Sequence, residues 1–291
     1  MRRSLLFLAL ILVSLPAAAQ EILFDDGWRF SFGNASSPEK DFGRGTEYFN
    51  YLTKAASIHN EGPYKPDFDD SSWKEVHLPH DYVVDLPFSP DASHSHGYKT
   101  VGWRWPDTSV GGYRKHFTIA EEALGNGVSL RFDGIFRDSD IWVNGFWLGG
   151  ERSGYAQATY DIAEYLNYGG DNVVAVRCDA TFEEGWFYEG AGIYRHVWLT
   201  VGEPAPKPQR PMPKITIDPD RGLLVDGRVL RIRGANVHQD HAGVGAAIPD
   251  ALYVYRIKQL KKYGFNAIRT SHNPASPALL DICDSLGMYV L

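Results

Sequence analysis

Short alternating segments dominate the first two thirds of the chain. Stretches such as VSLRFDGIF, DIWVNGFWLGG, NVVAVRCDAT and HVWLTV are rich in β-branched and aromatic residues and are broken by Gly, Asn and Asp. That is the pattern of half-buried strands separated by tight turns. Asn144-Gly145, set between IWV and FWL, is a two-residue hairpin signal because both turn positions tolerate φ > 0. Asn144 therefore reads as a turn residue and not as a ligand. No helix-length periodicity interrupts residues 21–201, and roughly eight such strands predict a two-sheet sandwich of jelly-roll type.

From residue 229 the pattern changes. Residues 229–237 alternate as a strand that ends at His238. After a polar loop, Asp250 behind Pro249 predicts the N-cap of a helix carrying Tyr253, Ile257 and Leu260 and stopped by Gly264. Residues 265–271 predict a second strand ending at His272. Ser276-Pro277 caps and opens a second helix with Leu279, Leu280, Ile282 and Cys283, Gly287 ends it, and Met288 to Leu291 begin a third strand. The order β-α-β-α-β belongs to parallel strands with crossover helices, and ligands meet such sheets at the strands' carboxyl ends. His238 and His272 both fall there, one βα unit apart. Read from the pattern alone, each serves equally well as a ligand-binding imidazole or as a hydrogen bonder at a strand end.

Composition narrows the function classes. A net charge of −7 argues against a nucleic-acid partner, which needs a basic face. The two cysteines, Cys178 and Cys283, fall in different predicted domains, so no disulfide scaffold is expected. Aromatic residues make up 13 %, with 8 Trp and 16 Tyr; most are expected to fill the sandwich core, although such rings also stack on sugars. At the N-terminus, Arg2 and Arg3 precede an apolar run over residues 5–15 and Ala17-Ala18-Ala19. This predicts a secretory signal peptide over residues 1–19 and export to the periplasm or beyond, with no membrane insertion, because spanning a bilayer takes about 20 apolar residues. Residues 203–213, EPAPKPQRPMP, read as a stiff linker. Residues 34–64 form a polar and aromatic insertion whose role the pattern leaves open.

RGANVHQDH followed by FNAIRTSHNPASPALLDICDSLGMYVL resembles the opening of the catalytic barrel in family-2 glycoside hydrolases, the β-galactosidase and β-glucuronidase family. WKEVHLPHDY, GGYRKHFTI, RFDGIFRDSDIWVNGFWLGG and GWFYEGAGIYRHVWL are similar to that family's N-terminal sugar-binding domain. The resemblance implies a multidomain β plus α/β protein: a jelly-roll β-sandwich over residues 20–202, then the first strands of a truncated (β/α)8 TIM barrel over residues 214–291. The immunoglobulin-like domain that usually separates them is not expected between these two segments. It implies a retaining exo-acting hydrolase of β-linked sugars, a β-galactosidase first, with β-glucuronides and β-mannosides as other substrates. His238 and His272 become sugar-contacting residues, supported by Asn236, Arg269 and Asp240. Residues 183–194 become the loop that reaches the site, with Glu184 and Trp186 as lining residues. No catalytic residue is expected within the chain. Both family glutamates lie on later barrel strands and are expected beyond Leu291, so the chain is expected to be the inactive N-terminal piece of a longer enzyme. No metal or organic cofactor is expected here; a divalent or monovalent cation and a homo-oligomer are compatible with a full-length form only.

Two rival readings remain. One is a secreted carbohydrate-binding remnant without catalysis. The other is a metal-dependent enzyme using His238, His241, His272 and Asp240, since His is a common metal ligand. His94 and His96, in a Ser-rich loop, read as solvated.

Overall fold

A computed structural model describes residues 20–37, 62–185, 187–203 and 211–291. The signal-peptide segment, most of the 34–64 insertion, the middle of the Pro-rich linker and Trp186 lie outside the described residues.

The first unit is an antiparallel sandwich. Its ten strands are β1 (Gln20–Leu23), β2 (Trp28–Phe32), β3 (Lys74–Val76), β4 (Val110–Thr118), β5 (Val128–Phe132), β6 (Ser139–Val143), β7 (Phe146–Glu151), β8 (Ala158–Asp161), β9 (Asp171–Asp179) and β10 (Val197–Val201). They form a six-stranded sheet in the order β3-β2-β4-β9-β6-β7 and a four-stranded sheet in the order β1-β10-β5-β8. The alternation in β5, whose Val128, Leu130 and Phe132 are buried, delivers one face of the second sheet to the core. Trp28, Phe30, Tyr113, Ile141, Val174 and Val176 supply the facing layer. Asn144 and Gly145 have φ of 50° and 86° and close the β6–β7 hairpin, as their sequence predicts. Asn144 also accepts from the Val173 N–H and donates to Tyr165 O, which fixes the turn against β9.

After the linker comes a small antiparallel sheet of β11 (Ile215–Asp218), β12 (Gly222–Val225) and β13 (Arg228–Val229), then a parallel sheet of β14 (Gly234–His238), β15 (Ala267–Ser271) and β16 (Tyr289–Val290). Helices α1 (Asp250–Lys262) and α2 (Pro277–Leu286) make the two crossovers. Ile248, Tyr253, Ile257, Ile268, Leu279, Cys283 and Met288 form the core between helices and sheet.

Several local readings need correction. Residues 229–237 are not one strand. Val229 pairs antiparallel with Leu224, whereas Gly234 onward pairs parallel with Ala267 onward. Asn266 makes the switch, accepting from the Arg233 N–H and donating to Arg231 O. Alternation has the same period in both sheets, so the change of partner leaves no trace in the pattern. The third strand is shorter than the 288–291 expected. Met288 joins the core beneath the sheet, and Leu291 falls just outside β16. Leu291 still extends the pairing, because its N–H donates to Ile268 O at 2.9 Å and its carbonyl accepts from the Thr270 N–H at 3.0 Å.

Asp250 is the first residue of α1 and not its cap, which is Pro249. Its carboxylate instead accepts from His196 Nε2 of the sandwich at 3.1 Å. Ser276 does occupy the cap position of α2, with Pro277 behind it, but makes no side-chain capping bond. Cys178 and Cys283 are both free and buried.

Candidate functional site

The site begins with strand parity. In β14 and β15, Val237 and Ile268 pack toward the helix-side core, so the opposite face carries Asn236, His238 and Arg269. The parallel register sets Asn236 beside Arg269 and His238 beside Ser271, which brings His272 next to His238 just past the strand ends. The two imidazole centroids are 5.6 Å apart and nearly perpendicular.

A sandwich loop completes this cluster. Phe187 lies 5.7 Å from His238 and 6.1 Å from His272, ring centroid to ring centroid. The 183–194 segment thus meets the two histidines through Phe187, a residue that the sequence did not single out. Its only signal was its place in a Gly-flanked aromatic run. Glu184 is engaged by Arg137 at 3.2 Å. The acid that the loop buries is Glu189, which is fully inaccessible and accepts from the backbone N–H groups of Glu184 at 3.0 Å and Gly185 at 2.5 Å. Burial pushes the Glu189 carboxyl up to about 7, against the pull of those two donors.

The Arg269 guanidinium fixes the state of His272. Arg269 Nη1 donates to His272 Nδ1 at 2.6 Å, and guanidinium has no acceptor, so Nδ1 must present its lone pair. His272 is then neutral and carries its proton on Nε2, as a donor. Its pKa lies below the ordinary histidine value, through desolvation first and then the positive Arg269 and neighbouring His238. Behind His238, Arg256 clamps the chain by donating to His238 O at 3.0 Å and Asp240 O at 3.2 Å.

Three sandwich residues hold this face in place. Arg195, almost inaccessible, donates to Gln239 Oε1 at 3.2 Å and Pro274 O at 2.7 Å, gripping both loops that carry the histidines. Asp81 accepts from the N–H groups of Val83, Ala191 and Ala246 and from Tyr188 OH, at 2.8 to 3.1 Å. His196 bridges Asp25 at 2.5 Å and Asp250 at 3.1 Å. Asn236, His238 and Asp240 line a cleft of about 750 Å³ with Tyr255, Arg256 and Tyr263. Among the described residues no group of three or more His, Cys, Asp or Glu converges to hold a metal ion. His241 Nδ1 is bonded to Ala242 O. His96 is buried rather than solvated. Among the described residues no helix is long and apolar enough to cross a membrane.

A β-sandwich thus places an aromatic ring beside paired strand-end histidines of a parallel sheet with crossover helices. Comparison with known proteins agrees in both parts. The sugar binding domain of glycosyl hydrolases family 2 matches residues 66–202, and the TIM barrel domain of the same family matches residues 217–291. The chain belongs to glycosyl hydrolase family 2. It is 25 % identical to the β-galactosidase BoGH2A of Bacteroides ovatus, over an alignment of 331 positions, gaps included, that covers 78 % of this chain and 38 % of that protein. It is 23 % identical to a putative β-glucuronidase of Formosa agariphila, covering 78 % of this chain and 31 % of the relative. In fold it is similar to the crystal structure of a family-2 member from Bacteroides cellulosilyticus, with a TM-score of 0.75 at 24 % identity, over 93 % of this chain and 45 % of that one. The chain thus spans less than half the length of these relatives.

Proposed function

We propose that this chain is the sugar-holding portion of a glycoside hydrolase for β-linked sugars, with β-galactosides as the first substrate class. The observation that carries the reading is the His238–His272–Phe187 cluster, with His272 set by Arg269 to donate from Nε2. Two imidazoles under an aromatic ring offer hydrogen bonds to hydroxyls and an apolar surface to ring carbons. Asn236, Arg269 and Asp240 extend the polar floor. The galactosidase relative favours galactosides, and the leader-like residues 1–19 favour export.

Retaining hydrolysis needs two carboxyl groups about 5–5.5 Å apart. Among the residues that follow β14 and β15 toward the helices, Asp240 is the only acid on the site-side loops. One carboxylate cannot be both nucleophile and acid/base. The expected result is binding without turnover: titration calorimetry of the purified chain detects methyl β-galactoside, and p-nitrophenyl β-galactoside is not cleaved. His238→Ala and His272→Ala should each weaken binding by about 10-fold, the loss of one or two hydrogen bonds. Cleavage by the chain, or binding indifferent to both substitutions, overturns the reading; tighter binding of the glucuronide reassigns the substrate. In a full-length form bearing both carboxyl groups, the same substitutions should lower kcat more than they raise KM, because these bonds strengthen as the ring flattens.

A further inference from the structure

We propose that Arg195 is the positioning residue of the histidine cluster: its one guanidinium links the loops of His238, His272 and Phe187 and sets how the three rings meet. The consequence for ligand binding rests on the sugar-binding reading above, whereas the link itself is a matter of geometry.

Arg195 is 4 % exposed, and its stem is confined, since a Cβ added at Gly134 would lie 2.8 Å from Arg195 Cδ. The planar head is divided between two sides. Nη1 donates to the sandwich, to Asp133 O at 3.2 Å and Tyr155 O at 3.3 Å. Nη2 donates to the barrel loops, to Gln239 Oε1 at 3.2 Å and Pro274 O at 2.7 Å. Gln239 directly follows His238, and Pro274 lies two residues after His272. One nitrogen therefore holds both loops at once, next to imidazoles whose centroids are 5.6 Å apart.

The third ring is reached through the other nitrogen. Tyr155, whose carbonyl takes one of the Nη1 bonds, brings its hydroxyl to 3.5 Å from Glu189 Oε1. Glu189 accepts from the Glu184 and Gly185 N–H groups and so closes the loop that contains Phe187. A Cβ at Gly185 would stand 3.0 Å from the Phe187 ring and 3.2 Å from Glu189 Oε1, so ring and carboxyl pack against the same point of backbone.

The acceptors explain why arginine stands here. All four are neutral oxygens. Burying a cation among neutral acceptors costs desolvation that a neutral side chain of similar size would avoid. What no other side chain supplies is a flat fork with donors on two sides at fixed angles. Lysine keeps the charge but presents one nitrogen, which cannot reach oxygens on both sides of the joint.

The test reads nuclear Overhauser contacts among the Phe187, His238 and His272 rings in the ligand-free chain, alongside titration with methyl β-galactoside. In Arg195→Lys the contacts should weaken for all three rings and sugar affinity should fall about 10-fold, as for the loss of one or two hydrogen bonds. Gln239→Leu cuts only the arm to His238. The contacts of His238 should then weaken while the Phe187–His272 contact stays, a selectivity that a merely structural arginine would not produce. Unchanged ring contacts in a folded Arg195→Lys chain, or a Gln239→Leu chain that disturbs all three rings alike or none, overturn the proposal. Should Arg195→Lys fail to fold, Gln239→Leu decides by the same criterion. If the ring contacts change as expected but the unsubstituted chain binds no methyl β-galactoside, the positioning role stands and the sugar-binding reading falls.

Discussion

Replacing Asp81 with alanine is expected to lower the unfolding free energy by about 3–5 kcal/mol, because several buried donors lose their shared acceptor at once. Asp81 is 5 % exposed and accepts four hydrogen bonds, from Val83, Ala191, Ala246 and Tyr188. Burial pushes its carboxyl above the ordinary range, and the four donors oppose that shift. Alanine would strand three buried N–H groups and a tyrosine hydroxyl, each without water to replace the lost partner. Because Ala246 belongs to the loop after β14 and the other donors to the sandwich, the loss also unfastens the barrel start from the sandwich. Two glycines show how closely the chain closes around this carboxylate. A Cβ at Gly190 would stand 2.4 Å, and one at Gly245 2.2 Å, from Asp81 Oδ2, and both glycines have positive φ. Urea unfolding followed by tryptophan fluorescence checks the magnitude. A loss under about 1 kcal/mol would mean that water readily takes the carboxylate's place.

The second large effect is a fall in stability as pH rises, in two separable windows. His196 is nearly buried, which by itself would lower its pKa, but its bonds to Asp25 and Asp250 outweigh burial and raise it to about 9. With a folded value above the ordinary 6.5, its contribution is complete below pH 6.5 and is lost as pH climbs through about 9, by roughly 3 kcal/mol. Glu189 titrates earlier. Its folded value of about 7 exceeds the ordinary 4.5 because burial, and the nearby Glu184 charge, disfavour the carboxylate despite the Glu184 and Gly185 N–H groups and Arg137. The fold therefore favours the protonated form, and ionisation weakens it between pH 4.5 and about 7. Unfolding curves at roughly pH 5, 7 and 9 should show His196→Gln flattening the upper window and Glu189→Gln the lower. An unchanged slope above about pH 7 in His196→Gln would remove the bridge between Asp25 and α1 as a source of stability.

The two buried groups do different things. His196 joins the sandwich to the N-terminus of α1, where Asp250 also favours the positive end of the helix. Glu189 folds its own loop back on residues 184 and 185, while the Glu189 N–H donates to Ser95 O at 2.9 Å. That closure positions Phe187 over the histidines. Ionising Glu189 therefore reaches the Phe187–His238–His272 cluster as well as the stability curve.

Sequence alone determined the sandwich, the Asn144-Gly145 hairpin, the parallel order of the last three strands and the meeting of His238 with His272. Each follows from a local rule: period-two alternation, positive φ at a turn, and the geometry of a βα unit that returns strand ends to one side. Asn236 and Arg269 came into view only through the family resemblance, and the parallel register sets them side by side next to the histidines. The remainder depended on contacts between distant segments. Which acid of the 183–189 loop is buried, and that Phe187 carries the loop to the barrel, follows from how Ser95, Arg137 and the histidines pack around it. Asp81 gathers donors from residues 83, 188, 191 and 246, and Arg195 ties residues 239 and 274, so neither role leaves a periodic trace. Asp250 read as a cap because the helix rule sees its neighbours in sequence, whereas the tertiary fold supplied His196 as a stronger partner. Local propensity sets which elements form; the desolvation of charged groups between them, felt only once they pack, decides which side chains make the site.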